Sequence, residues 1–207
     1  MQAHSILPAV VLLSIASLAA CSQERSEGKE GSVKNPQILE WVREAPFNDP
    51  VKLRATPNFS YEQWFARGRK LPDAVDTLVE LLNEENPQRP SGDGMRVAYA
   101  LGWIGDRRKP AIDALIKSLK NTDNAIRSEA VSALGRLGEV SVLPLLEDLV
   151  RNHQEDINVR GNACVSLGRL RLPSGEPTLQ EALKDPEQFI VACAREGLRL
   201  LNEGERK

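Results

Sequence analysis

A leucine–glycine pair recurs at a fixed interval along this chain, and that recurrence constrains the fold more than any other feature. Leu101, Leu134 and Leu167 are each 33 residues apart, and a glycine follows every one of them. A fourth, weaker copy around Leu198 has Arg199 in the glycine position. Self-similarity at a period of about 20–50 residues is typical of stacked repeat architectures. The three full copies align without gaps: VAYALGWIG (97–105), AVSALGRLG (130–138) and ACVSLGRLR (163–171).

A second amphipathic stretch follows each full copy, with an earlier one before the first copy, and predicts a second helix placed after the glycine-bearing helix in each pair. Its apolar residues fall at helical spacing in four segments: 71–83, 109–121, 141–152 and 174–185. A proline stands near the start of each segment, where the first helical turn tolerates its missing N–H: Pro72, Pro110, Pro144 and Pro177. The sequence therefore predicts stacked helix pairs, because neither helix of a pair can bury its apolar stripe alone.

The recurring glycines call for a packing explanation. An interior helix glycine costs about 1 kcal/mol relative to alanine. We expect Gly102, Gly135 and Gly168 to let one helix backbone approach its neighbour closely, where dispersion offsets that cost. Gly105 and Gly138 are predicted to end their helices, as glycine just beyond a helix C-terminus commonly does.

The repeated motif resembles HEAT repeats of the short bacterial kind found in phycobilisome-lyase-like proteins. Their pattern runs Arg-x-Ala-x-x-x-Ala-Leu-Gly-x-Leu-Gly, and Arg127 and Arg160 match its arginine. The resemblance covers residues 71–203. It implies an all-α protein, an α-solenoid of about four HEAT-like helix pairs with an irregular N-terminal cap. It implies little about activity, because function depends on sites placed on a fold.

The N-terminus reads as an export signal. Residues 6–20, ILPAVVLLSIASLAA, carry no charge and are too few for the roughly 20 residues that a spanning helix needs. The run ends in LAAC (18–21), which resembles the lipobox of bacterial lipoproteins. That resemblance implies that Cys21 is acylated, becomes the first residue of the mature chain and anchors it to a membrane.

These patterns together predict the domain organisation and the location. Residues 1–20 form a signal peptide, 21–36 a lipidated flexible tether, 37–70 an irregular N-terminal cap and 71–207 the solenoid. Ser22, which is not an aspartate, resembles the outer-membrane sorting signal of Gram-negative lipoproteins. We expect an exported protein anchored in the cell envelope, on the periplasmic face of the outer membrane.

The charge balance and motif content restrict the candidate chemistry. With 27 basic and 29 acidic residues, the net charge is −2, so no strong cationic surface for nucleic acid is expected. Deoxyhypusine hydroxylases are HEAT-like enzymes that bind iron through His–Glu pairs, but His4 and His153 are the two histidines here and neither precedes a glutamate. No HExxH, CxxC or phosphate-binding loop occurs. We therefore expect no catalytic residue, metal site or cofactor, and no enzymatic activity.

Two Asp–Arg pairs at four-residue spacing allow two interpretations. Asp123 with Arg127 and Asp156 with Arg160 stand near the starts of predicted glycine-bearing helices. They are either an anion-binding ladder or helix caps with arginines that bridge neighbouring repeats. We favour the structural interpretation, because aspartate commonly caps helix starts.

The cysteines and aromatic residues also leave alternatives open. Cys164 and Cys193 fall on different predicted helical faces, so two separate buried thiols are favoured over a disulfide.

Six of the nine aromatic residues lie between positions 41 and 65. They form either a binding surface or the core of the cap, and we favour the cap core. The six are Trp41, Phe47, Phe59, Tyr61, Trp64 and Phe65.

The sequence thus favours an envelope-anchored lipoprotein that acts as a HEAT-repeat scaffold for an unidentified protein or peptide. Its expected binding surface is the polar side of the proline-initiated helices, where mixed charges favour a protein partner. The candidate residues are Asp113, Lys117, Asp148, Arg151, Glu181 and Lys184. Two alternatives stay open, a lyase-like or ligand-carrying HEAT-repeat protein and a purely structural subunit of an envelope complex.

Acylation of Cys21 is testable in the native cell. Cys21→Ser removes the thiol that would carry the lipid, so the product should stay unprocessed or leave the membrane fraction. Fractionation and intact-mass measurement decide the outcome. A wild-type mass that retains Met1 and lacks acyl chains would contradict the lipoprotein assignment.

Overall fold

The computed structural model describes residues 35–46, 59–84 and 92–204, and all regular structure within these ranges is helical. The predicted signal peptide, Cys21 and the tether up to residue 34 lie outside them. The all-α prediction is confirmed. Two 3₁₀ turns, Val140–Val142 and Pro173–Gly175, precede α7 and α9. The α-helices are α1 (Pro36–Glu44), α2 (Tyr61–Gly68), α3 (Ala74–Asn83), α4 (Asp93–Ile104), α5 (Lys109–Ser118), α6 (Asn124–Leu137), α7 (Leu143–Arg151), α8 (Ile157–Leu170), α9 (Glu176–Ala182) and α10 (Gln188–Gly204).

Four helix pairs form the solenoid, as predicted. Each of α3, α5, α7 and α9 packs against the glycine-bearing helix, or its equivalent, that follows it, which gives the pairs α3/α4, α5/α6, α7/α8 and α9/α10. The helices α3 and α5 also pack against each other to a similar extent. In the sequence motif, the glycine-bearing stretch was placed first in each pair. Packing reverses that order, because each proline-initiated helix turns its apolar stripe towards the next helix along the chain.

The helices α4, α6, α8 and α10 pack side by side in chain order. A Cβ built on Gly102 would lie 2.7 Å from the Cα of Ala133 on the next helix. The same construction on Gly135 meets the Cα of Ser166 at 2.8 Å, and on Gly168 it meets the Cα of Gly197 at 2.6 Å. Side-chain carbons do not approach a backbone this closely, so the predicted close contact at the glycines is confirmed.

The ends of the helices follow the sequence signals with two exceptions. Gly105 and Gly138 end α4 and α6 with φ of 78° and 67°, as predicted. In the third copy Arg171 takes the same left-handed conformation, with φ of 54°, where an L side chain is strained. Pro110, Pro144 and Pro177 occupy the first turns of α5, α7 and α9, whereas Pro72 lies before α3.

The aromatic residues of the N-terminal cap form its core. Trp41 and Trp64 stack with ring centroids 4.4 Å apart, and both are almost fully buried. The indole N–H of Trp41 donates to the carbonyl of Trp64 at 2.9 Å, and that of Trp64 donates back at 2.7 Å. The interpretation as a cap core therefore holds for this pair and for buried Phe65, while Phe47 lies outside the described residues. Within the described part of the cap, α1 and α2 are regular helices.

The Asp–Arg pairs are structural. The side chain of Asp123 accepts a hydrogen bond from the N–H of Ala125 at 2.8 Å and caps α6, and Asp156 caps α8 in the same way. Arg127 pairs with Glu155 in the turn before the next glycine-bearing helix. Arg160, almost fully buried, pairs with Asp185 in the equivalent turn. The favoured interpretation is confirmed for both pairs, and they do not form an anion-binding ladder.

The close contact at Gly135 predicts a loss of stability on substitution. Gly135→Ala places a methyl group against the backbone of Ser166, so it should lower the free energy of unfolding by about 1–3 kcal/mol, and Gly135→Leu by at least as much. Chemical denaturation monitored by circular dichroism measures the change. Gly175→Ala is the matched control, because a Cβ there meets ordinary contacts at 3.5 Å or more. A higher stability of Gly135→Ala would refute the packing explanation.

Candidate functional site

The six residues predicted to bind a partner all lie exposed on α5, α7, α9 and the turn after α9. Their charges are partly satisfied among themselves and their neighbours. Lys109 pairs with Asp113 at 2.9 Å, and Arg151 pairs with Glu181 at 3.1 Å. Exposed pairs of this kind contribute little to stability or to affinity. This surface is polar and carries charges of both signs, but the charged side chains do not gather into one cluster.

Arg151 has a structural role besides the one predicted. Its Nη2 donates to the buried Thr178 hydroxyl at 2.6 Å, while its Nε donates to Glu181 at 3.1 Å. Thr178 in turn donates to Glu147 at 3.1 Å. These bonds tie α7 to α9, so Arg151 has a structural role in linking two repeats, and its contact with a partner stays a prediction.

A second group of side chains lies on the glycine-bearing helices and on α10. Trp103, Arg136 and Arg169 each follow one of the recurring glycines, so they occupy the same repeat position on α4, α6 and α8. Because these helices pack side by side, the three residues form a row across the stack. We call this surface the glycine-helix face and define it by Tyr99, Trp103, Glu129, Arg136, Arg169 and Glu196.

The aromatic part of the glycine-helix face is a partly exposed platform. Trp103 is 40% exposed and stacks on Phe65 of α2, with centroids 5.0 Å apart and planes inclined by 18°. Tyr99 lies beside it at 6.1 Å. The guanidinium carbon of Arg136 is 5.2 Å from the centroids of both rings. A cation over two ring faces is held by the ring quadrupoles, which fixes Arg136 next to an open indole.

The charged part of the face is largely withdrawn from water. Arg136 pairs with Glu129, and their side chains are 15% and 18% exposed. Burial raises the pKa of Glu129, and the neighbouring Arg136 only partly offsets this. Burial also lowers the pKa of Arg169, and Arg136 lowers it further.

The guanidinium of Arg169 makes no hydrogen bond or ion pair within the described ranges. This sets it apart from the other buried or half-buried arginines of those ranges, each of which has an acidic partner. They are Arg43, Arg96, Arg127, Arg136 and Arg160.

The remaining reactive residues do not assemble into a centre. Cys164 and Cys193 are free thiols, and burial raises the pKa of Cys164 to about 12. Cys164 is fully buried as expected, whereas Cys193 is only half-buried. His153 is exposed, with its Nδ1 3.8 Å from Asp185. The described part of the chain has no group of three or more potential metal ligands, and none of its helices is long and apolar enough to span a bilayer.

Comparison with known proteins identifies HEAT repeats in this chain. A HEAT-repeat family model matches residues 94–157. Deoxyhypusine hydroxylase of Drosophila melanogaster is 25% identical over 135 residues, which cover 64% of this chain and 43% of the relative. The phycocyanobilin lyase subunit alpha of Picosynechococcus is 28% identical over 115 residues, 53% of this chain and 42% of the relative. The CpcE–CpcF complex of phycocyanin lyase from Nostoc matches the fold with a TM-score of 0.57 at 20% identity, covering 85% of this chain and 68% of the matched one.

These comparisons correct the expectation that the chain has no enzymatic activity, and they agree with the lyase-like resemblance. We expected no enzymatic activity, and that expectation is wrong in the light of the relatives, since both curated groups are named as enzymes. The chain spans less than half the length of the curated relatives it matches. The lyase-like resemblance inferred from the motif agrees with the phycocyanobilin lyase relative.

The row of Trp103, Arg136 and Arg169 was missed by sequence reasoning. The signal was nonetheless present, because the residue after each recurring glycine is large and polar or aromatic at a 33-residue interval. What the sequence could not reveal is which of these side chains is half-buried and which has a partner.

Glu129 predicts a pH dependence of stability. Its pKa in the folded protein is raised above the ordinary 4.5, so the folded state favours the protonated carboxyl. Wild type should therefore lose stability relative to Glu129→Gln as the pH rises through and above 4.5. Urea denaturation at pH 4 and pH 7 measures the free energy of unfolding of both proteins. The difference between the two proteins at each pH cancels the contributions of the other titrating groups. A gain of wild type over Glu129→Gln with rising pH would show that the ion pair with Arg136 outweighs burial.

Proposed function

We propose that this chain is a lyase-like HEAT-repeat protein that holds a conjugated ligand of the bilin type on its glycine-helix face and presents it to a protein partner. The observation that carries the proposal is the exposed indole of Trp103, stacked on Phe65 and flanked by Arg136. The named activity of a relative, phycocyanobilin lyase, supports the ligand class.

The chemistry of the face suits a flat, polarisable molecule. The indole of Trp103 is 40% exposed, and Phe65 stacks on it and fixes its orientation. A conjugated ligand beside the indole would also contact the guanidinium of Arg136, which lies over the same ring. Small-molecule sites combine aromatic side chains with a few placed polar groups, and this face joins two aromatic residues to four charged ones.

A protein partner is the second part of the proposal. The phycocyanin lyase structure contains two different chains, CpcE and CpcF, which supports association of this chain with another protein. The exposed charges of α5, α7 and α9 remain the proposed contact surface, with Asp113, Lys117 and Asp148 among them. Arg151 belongs to the same set and in addition joins α7 to α9. Mixed charges would steer association more than they would strengthen it.

Location at the envelope is the third part. The lipobox-like LAAC and the polar stretch after it support an exported protein held by lipid on Cys21. In that arrangement, the solenoid would carry its ligand and partner at a membrane surface without entering the bilayer.

Titration with phycocyanobilin tests the ligand part. Binding over the indole should quench the fluorescence of Trp103. Trp41 and Trp64 are buried in the cap core and would not contact the ligand. Trp103→Leu should weaken binding by about tenfold, the equivalent of one lost aromatic stacking contact. Lys117→Glu, on the opposite set of helices, is the control and should bind like wild type.

Absorbance of the pigment provides a readout that does not depend on tryptophan. A wild-type protein that neither quenches nor shifts the pigment spectrum, or a Trp103→Leu protein that binds as wild type does, would exclude this ligand site.

A further inference from the structure

Arg169 has no structural role that explains its position. Its guanidinium carries five N–H donors, which no acceptor within the described ranges takes up and which water can reach. The five other buried or half-buried arginines of the described ranges have acidic partners, and Arg169 has none. A cation that is partly withdrawn from water and that no acidic residue of the described ranges pairs with is available to an anion from outside the chain.

The acidic residues nearest to Arg169 are already engaged. On α6, Glu129 pairs with Arg136. On α10, both carboxylate oxygens of Glu196 accept hydrogen bonds from Arg199, at 2.6 and 2.7 Å. Glu129 and Glu196 therefore act on Arg169 only through space, and Arg136 repels it. An incoming anion would meet a guanidinium that is partly shielded from water and has no ion pair within the described ranges.

The repeat geometry relates Arg169 to the aromatic platform. Trp103, Arg136 and Arg169 lie at one repeat position on three neighbouring helices, and packed helix axes are about 8–10 Å apart. Arg136 leans onto Trp103, as its 5.2 Å distance from the ring centroid shows. A ligand that touches both Trp103 and Arg169 must pass over Arg136, so it has to be elongated as well as flat.

We infer that Arg169 binds the carboxylate of an elongated, planar ligand whose conjugated part lies over Trp103 and Arg136. The guanidinium fork matches the two oxygens of a carboxylate, which gives a bidentate pair in a partly dehydrated site. This inference rests on the proposed function for the choice of face, and it adds the chemical group that the ligand must carry. It makes Arg169 the residue that distinguishes an acid from its uncharged analogue.

Two probes of equal shape test the inference directly. Biphenyl-4-carboxylate and biphenyl-4-carboxamide differ in charge and share the planar body. Calorimetric titration of the full chain should show at least tenfold tighter binding of the carboxylate. Arg169→Gln should remove that preference, and Arg169→Lys should retain part of it because the charge remains without the fork. Arg195→Gln, an exposed arginine on α10, is the matched control and should keep the wild-type preference.

The outcomes separate this inference from the proposed function. Arg169→Gln should fold normally, because it breaks no bond within the described ranges, and its thermal melt checks this. Equal binding of the two probes by wild type, or an unchanged preference in Arg169→Gln, overturns the role of Arg169 whatever phycocyanobilin does. A preserved carboxylate preference in a protein that ignores phycocyanobilin supports Arg169 and rejects the bilin-type ligand alone.

Discussion

The rest of the structure depends on the backbone contact between neighbouring glycine-bearing helices. At each of three successive contacts a glycine faces a small residue, first Ala133, then Ser166, then Gly197. The contact fixes both the distance and the rotation of one helix against the next. Because the rotation repeats, the side chain that follows each glycine points the same way on every helix. The glycine-helix face is a consequence of that packing, and its row of residues would not exist without it.

The ends of the repeats are held by charge instead of by close approach. Arg127 and Arg160 each reach from a glycine-bearing helix to an acidic residue in the turn before the next one. Burial of such pairs is costly unless the geometry is well satisfied, and Arg160 adds two bonds to the carbonyl of Val150 at 3.1 and 3.2 Å. In α10 the glycine position is filled by Arg199, which is paired with Glu196 and Glu203, so a further helix could not approach there as closely.

Much of this could be predicted from the sequence, because the signals are local and periodic. The glycine contacts, the left-handed ends at Gly105 and Gly138 and the aspartate caps each follow from a residue type in a known position. Roles that depend on a partner far along the chain could not be predicted in this way. The sequence shows Arg151 only as an exposed charge. Its hydrogen bond to Thr178, 27 residues away, is visible only in the folded structure. The expectation of no enzymatic activity failed for a related reason, since it relied on known catalytic motifs and this face has none.

The two sets of helices therefore differ in how far their charged side chains are exposed to water, and this affects how strongly each set could bind a ligand. On α5, α7 and α9 the charges are exposed, so water and neighbouring side chains already solvate them and a ligand would gain little by replacing these contacts. On α4, α6 and α8 close packing narrows the space around each side chain, so Arg136 and Arg169 are half-buried beside an open indole. Electrostatic attraction is stronger where water is displaced. The glycines that stabilise the stack thus also create the electrostatic environment of Arg169, whose guanidinium is unpaired within the described residues and is proposed to select the ligand.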